Sequence, residues 1–356
     1  MTAPVQHAVI SARGSAVPPR HARVAVLGAS GYSGQEFARL AFAHPGLELV
    51  QLVSREHAGR SAHELLVGLG RDAVPAVVSP DAALAAVRSG EVDTVVACLP
   101  HGVWRDFARD FERAAPAPGA LRVVDLSSDH RDGAEGYVYG QPESRRAELA
   151  GATRVANPGC YPTAATLALL PALEQGWISG PVMVTALSGI SGAGRGATPR
   201  TSFVERAGGA ELYKAGTVHA HTGEMARAWE RIAGAPLPVG FAPQIVPMSR
   251  GILAVVNAPL SRAWSPEAAH AVWTERFAGE PFVRVLPPGQ WPDTRAVRGS
   301  NRCDVAVTTL HDGRTLLATS AIDNLVKGAA GQAIQNLNLL LGWPETTALP
   351  VDGLPW

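Results

Sequence analysis

Val24-Ala25-Val26-Leu27-Gly28-Ala29-Ser30-Gly31-Tyr32-Ser33-Gly34 is the stretch that decides the fold. A short apolar run ends at a glycine, and Phe37, Leu40 and Ala41 then recur at helical spacing until Pro45 stops the pattern. The order is strand, glycine turn, helix. A second apolar run, Leu47 to Val53, follows at once, so the opening unit is a βαβ module, which requires a parallel sheet. Runs at Val92 to Ala97 and Leu121 to Asp125, with helical patterns near Asp81 to Val87 and Val103 to Phe111, extend the alternation into a doubly wound, Rossmann-type α/β domain.

The rhythm changes after Asn157. Val182 to Leu187, Phe241 to Val256, Phe282 to Leu286, Cys303 to Leu310 and Arg314 to Ile322 read as strands with few helices between them, and His311-Asp312-Gly313 reads as a hairpin turn. The expectation is an α+β domain with a largely antiparallel sheet. Beyond Asn324, one helical face gathers Val326, Ala330, Ile334, Leu337 and Leu341, a helix expected to return to the first domain. The expected division is 1–22 as a disordered extension, 23–156 with 325–356 as the dinucleotide-binding domain, and 157–324 as the catalytic and oligomerisation domain. Pro287 to Ser300, rich in proline, glycine and charge, is the expected mobile loop.

Lys plus Arg number 31 and Asp plus Glu number 31, so no net charge draws the chain toward nucleic acid or an anionic membrane. Three cysteines, Cys98, Cys160 and Cys303, are too few for a disulfide framework or a four-ligand zinc site, which points to a reducing, cytoplasmic setting. The first 22 residues lack the continuous apolar stretch of a signal peptide or anchor, although their lack of acids keeps a transit peptide as the alternative.

The chemistry concentrates in a few stretches. Gly28, Ser30, Gly31, Tyr32, Ser33 and Gly34 form a strand-to-helix loop where backbone N–H groups can meet a pyrophosphate. An NAD enzyme usually places an acid about 20 residues on, whereas this chain has Ser54 and Arg55, a hydroxyl and a guanidinium suited to the 2′-phosphate of NADP(H). Cys160, in Asn157-Pro158-Gly159-Cys160-Tyr161-Pro162-Thr163, precedes an apolar helical run. A helix start favours the thiolate, which makes Cys160 the candidate nucleophile; Cys98 and Cys303 read as core residues. His219 and His221, two apart and read as lying on an extended strand, offer acid/base chemistry or a metal pair. No third ligand at metal spacing accompanies them, so acid/base work is the better reading and no metal is expected. The loop Ser188 to Gly196, including Ser191 and Gly192, suits close approach to an anion, and Arg250 in Pro247 to Gly251 calls for a carboxylate or phosphate partner.

With these motifs in place, the chain resembles the aspartate-semialdehyde dehydrogenase superfamily and, within it, the N-acetyl-gamma-glutamyl-phosphate reductase family, from about Arg23 to Leu341. The specific element is Asn157 to Thr163. Gly28 to Gly34, Leu99-Pro100-His101-Gly102, Asp125 to Asp129, Pro247 to Gly251 and Asp323 to Gln332 support it. The resemblance implies Cys160 as nucleophile, His219 as acid/base, and Pro100 and Asn324 beside the cofactor. It further implies Asn157, Ser188, Tyr213, His221, Glu224 and Arg250 near a small acyl phosphate substrate, phosphate as the leaving group, and a homodimer or homotetramer. Ala220 and Gly223 depart from the basic residue and proline common in the family.

Overall fold

The computed structural model describes residues 21–66, 68, 70, 74–196 and 198–354. Most of the expected N-terminal extension lies outside them, but its last residue, Ala22, is buried and opens the first strand.

The first sheet contains β1 (Ala22–Leu27), β2 (Leu47–Val53), β3 (Val77–Val78), β4 (Thr94–Ala97), β5 (Arg122–Asp125), β6 (Val138–Tyr139) and β7 (Arg154–Ala156), in the order β3-β2-β1-β4-β5-β7-β6. Every pairing is parallel. Both faces are therefore covered. The helices Pro80–Arg88 and Val103–Ala114 pack on one face around Val87, Trp104 and Phe111. On the other lie Tyr32–Ala41 and, from the far end of the chain, Gly331–Leu341, whose Ile334 and Leu337 join Val24 and Phe37 in one core. The returning helix thus starts later than its apolar face suggests, because Val326–Ala330 forms a π-turn first.

The second sheet contains β8 (Val182–Ser188), β9 (Glu211–Leu212), β10 (Val239–Ile245), β11 (Ile252–Pro259), β12 (Val283–Val285), β13 (Cys303–Leu310) and β14 (Thr315–Ile322), in the order β12-β13-β14-β11-β8-β10-β9. It is mixed but mostly antiparallel, with parallel pairs only at β8–β10 and β12–β13. The expected long strand Phe241 to Val256 is two strands on opposite sides of β8, parted by a turn in which Gly251 takes φ +119°. The expected helix after Cys160 runs from Cys160 to Glu174, and this half is otherwise more helical than expected: Ala220–Ala233 and Pro266–Phe277 are helices as well.

The helix Cys160–Glu174 is the axis of that half. It is apolar all round, which marks a helix enclosed on every side, and Tyr161 to Leu173 are all buried. Trp229 Nε1 donates to Thr166 Oγ1 at 2.9 Å and Trp273 Nε1 to the Ala168 carbonyl at 2.9 Å, so two flanking helices are pinned to it. The segment Pro287 to Ser300 is exposed over its first five residues and anchored at its end. Val297 is buried, and Gly299 N donates to Asp323 Oδ2 at 2.7 Å.

Lys327, in the π-turn, is fully buried, with Nζ 2.6 Å from Glu143 Oε1 and 2.7 Å from Gln335 Oε1. Removing one member of a buried ion pair leaves the other charge without compensation. Lys327→Met is therefore expected to cost about 3 to 5 kcal/mol in urea unfolding at pH 7. A loss below about 1 kcal/mol, no more than a surface pair gives, would show that the pair is dispensable.

Candidate active site

In an open parallel sheet, ligands bind outside the carboxyl ends of the strands where the strand order reverses. Here the reversal lies between β1 and β4, whose following loops are Gly28 to Gly34 and Cys98 to Gly102. Gly28 holds φ +74°, and a Cβ there would overlap the Cys98 carbonyl oxygen; one at Gly34 would overlap the Gly28 carbonyl oxygen. Gly31 caps the helix Tyr32–Ala41 and brings no side chain of its own. The N–H groups of that first turn suit an anion, and its residues carry no acid to repel one. Ser54 Oγ lies 3.5 Å from Ser30 Oγ, while Arg55 is exposed with its guanidinium 5.9 Å from the Phe107 ring centroid. Pro100 is exposed at the rim.

The second half reaches this crevice through the loop after β8. Arg195 Nη1 donates to the Ser30 carbonyl at 2.9 Å. Asn324 donates to Ser191 Oγ at 3.1 Å and accepts from Gly251 N at 2.7 Å, so β14's end, the β8 loop and the Pro247–Gly251 turn are joined. A Cβ on Gly192 would come within 2.9 Å of Ser188 Oγ, which explains glycine at that close approach. The cradle fits a dinucleotide held from both sheets.

Cys160 is the first residue of its helix and half-buried. Gly159 before it is crowded: a Cβ there would sit 2.5 Å from His221 Nε2 and 2.8 Å from Arg131 Nη1. From the other side, a Cβ on Gly328 would meet Cys160 Cβ at 2.8 Å. The helix start was expected to favour the thiolate. Burial outweighs it and pushes the thiol up to about 11, with the Arg131 guanidinium and the backbone N–H of Tyr161 pulling the other way. Cys98 is pushed up as well, and Cys303 is buried and raised well above the usual range.

The two histidines are not on a strand. His219 is the N-cap of the helix Ala220–Ala233, its Nδ1 accepting from His221 N at 3.1 Å, and His221 lies in the first turn. The helical signal is Thr222, Met225 and Trp229, all buried at helical spacing. Burial holds His219 down to about 4, aided by Lys214, and His221 down to about 3 against the pull of Glu224, so both rings are neutral at pH 7. The His219 ring stands 5.6 Å from Tyr213 and 6.0 Å from Tyr161, whose hydroxyls are 3.1 Å apart. Ser188 is buried, its hydroxyl donating to the Gly189 carbonyl at 3.0 Å.

Three of the expected substrate contacts have partners within the protein. Asn157 is fully buried, its amide donating to the Ala329 carbonyl at 3.2 Å and accepting from Asn336 at 3.0 Å. Glu224 is buried between Arg131, Tyr139 and the Gly159 N–H. Arg250 spans the two halves, with Nη2 2.8 Å from Glu36 Oε2 and Nη1 3.7 Å from Asp323 Oδ2. Although burial alone would raise it, Glu36 is held below the usual carboxylate range by Arg39 and Arg250. Sequence reading gave no individual role to Arg131 or to His101. Arg131 stands two residues beyond the Asp125 to Asp129 motif, and a lone arginine close behind a buried strand end was its signal. His101 Nδ1 accepts from Ser128 N at 3.0 Å.

Residues 23–152 match the family model described as semialdehyde dehydrogenase, NAD binding domain, and residues 160–324 match semialdehyde dehydrogenase, dimerisation domain. The same fold is seen in aspartate semialdehyde dehydrogenase II of Vibrio cholerae complexed with ASA. The TM-score is 0.72 at 17% identity, covering 91% of this chain and 99% of that one. Aspartate semialdehyde dehydrogenase with NADP from Candida albicans gives a TM-score of 0.66 at 17% identity, covering 90% and 98%. Fold and crevice define a dinucleotide-binding oxidoreductase of the semialdehyde dehydrogenase class. Among sequence relatives, the N-acetyl-gamma-glutamyl-phosphate reductase of Acidothermus cellulolyticus is 42% identical, covering 94% of this chain and 99% of that protein. That of Thermus thermophilus is 42% identical, covering 92% and 99%. The chain belongs to the N-acetyl-gamma-glutamyl-phosphate reductase family.

Proposed function

We propose that this chain reduces N-acetyl-gamma-glutamyl phosphate to N-acetylglutamate semialdehyde with NADPH, through a thioester on Cys160, as a cytoplasmic homo-oligomer in arginine biosynthesis. The observation that carries the reading is the place of Cys160: a half-buried thiol at a helix start, beside Arg131 and next in the chain to Tyr161, whose ring meets those of the two neutral histidines. The dinucleotide half is assigned 23–156 with 325–356 and the catalytic half 157–324.

The thiol rests protonated and His219 rests neutral, so attack and proton transfer occur together. The sulfur bonds to the acyl carbon while His219 takes the thiol proton. The carbon–phosphate oxygen bond then breaks, and His219 passes that proton to the departing phosphate. Backbone N–H groups at the start of the helix Cys160–Glu174 stabilise the oxyanion. When bound, the nicotinamide supplies the hydride that reduces the acyl carbon. Collapse of the thiohemiacetal breaks the carbon–sulfur bond and frees the aldehyde, and His219 relays a solvent proton to the sulfur. Tyr213, Ser188 and His221 line the substrate side.

The purified enzyme should oxidise NADPH with N-acetyl-gamma-glutamyl phosphate and release one phosphate per turnover. Efficient use of aspartyl phosphate with neglect of the N-acetylated substrate would reject the assignment. Cofactor choice is a separate prediction. A hydrogen bond to a charged group contributes about 1.5 to 3 kcal/mol, or roughly ten- to more than a hundredfold in affinity. Arg55→Ala should weaken NADPH by that factor and leave NADH nearly unchanged, as measured by fluorescence titration. Equal losses for both cofactors would remove Arg55 from the 2′-phosphate site.

A further inference from the structure

Arg131 lies in the loop after β5, its side chain is 5% exposed, and each of its three donor nitrogens has an acceptor within the protein. Nε donates to the Asn157 carbonyl at 2.9 Å, Nη2 to the Leu126 carbonyl at 2.8 Å, and Nη1 to Glu224 Oε2 at 2.8 Å. The other oxygen of Glu224 accepts from the Gly159 N–H at 2.8 Å and from Tyr139 Oη at 2.9 Å. The pair therefore grips the backbone at both Asn157 and Gly159, the residues leading into Cys160. A pair that merely joined two helices would not need those bonds. We propose that Arg131 is the positioning residue for Cys160, fixing the turn that presents the sulfur and placing a positive charge beside it that Glu224 partly offsets.

The charged surroundings of the sulfur are few. Arg131 favours the thiolate and Glu224 opposes it, while His219 and His221 are neutral. Tyr161, next in the chain, is a phenol raised far above its ordinary value by burial. On the side of the π-turn, Gly328 lies against Cys160 Cβ and carries no charge, and the buried Lys327 next to it is paired with Glu143 at 2.6 Å. Removing Arg131's charge and removing Glu224's should thus move the sulfur in opposite directions. Loosening of the turn would instead expose the thiol in both variants and move both the same way. The inference rests on Cys160 being the nucleophile, but its test reads the sulfur itself, so failure of the thioester mechanism and failure of this inference give different results.

The experiment is iodoacetamide alkylation of the full chain at pH 8, followed on the Cys160 peptide by mass spectrometry, with kcat measured alongside. A nearby charge shifts an ionisation by about one to three pKa units. Below the thiol's own value, Arg131→Met should slow alkylation by about tenfold or more, and Glu224→Gln should speed it by a similar factor. Faster or unchanged alkylation in Arg131→Met, or unchanged or slower alkylation in Glu224→Gln, overturns the proposal. Arg131→Lys decides the matter should the Met variant not fold. It keeps the charge but cannot reach Asn157 and Leu126 together, so its alkylation should stay near the parent's while kcat falls. Accelerated alkylation or an unchanged kcat in Arg131→Lys would leave Arg131 a purely structural role.

Discussion

Cys160→Ala is expected to lower the rate of acyl phosphate reduction by more than a hundredfold while NADPH still binds. The expectation follows from the site's arrangement. Cys160 begins a helix whose next thirteen residues are buried, so the backbone that carries it is fixed. Its neighbours on either side are Gly159 and Gly328, where a single added carbon would collide with His221 or with Cys160 itself. A hundredfold corresponds to about 2.7 kcal/mol of transition-state stabilisation, which a covalent intermediate exceeds when its nucleophile is lost. The cofactor cradle is built from other loops, and fluorescence titration with NADPH should give a Kd close to the parent's. Retention of more than about a hundredth of the activity would rule out covalent catalysis by this residue.

His219→Asn is expected to lower kcat by roughly 10² to 10⁴, the range for losing a general acid/base. His221→Asn, beside Gly159 and facing Arg131 at 3.5 Å, should act mainly on KM. The reverse split would exchange the two roles. Burial gives the mechanism a pH signature. Because His219 is held down to about 4, its ring stays unprotonated below pH 6.5, where an ordinary histidine would be protonated. The acid limb of kcat/KM should therefore lie well below 6.5, and the His219→Asn variant should lose it. An acid limb at 6.5 would mean that an unshifted histidine carries the proton.

The first half was legible because its signals are local. A four-residue apolar run, a glycine that must take φ +74°, and a 3.6-residue pattern stand side by side in Val24 to Ala41. The cysteine turn was legible for the same reason. The His219 segment was misread because β-branched Thr217 and Val218 lead into it and the helix is capped by a histidine rather than by Ser, Thr, Asp or Asn. Partners distant in the chain escaped altogether. Arg131 is defined by Glu224, 93 residues away, and Arg250 by Glu36, 214 residues away. Sequence spacing shows that an arginine beside apolar strands needs an anion, but only the packing of the two halves decides whether that anion is a substrate or a carboxylate of the same chain. The apolar run Phe241 to Val256 was read as continuous because the turn within it is only a few residues long.

The central claim is a thioester on Cys160, and the most direct measurement is mass spectrometry of the enzyme mixed with N-acetyl-gamma-glutamyl phosphate in the absence of NADPH. The account predicts one N-acetylglutamyl group per chain, located on the peptide that contains Cys160, removed by hydroxylamine and consumed on adding NADPH. An enzyme that turns over this substrate yet carries no adduct, or carries it on Cys98 or Cys303, would contradict it.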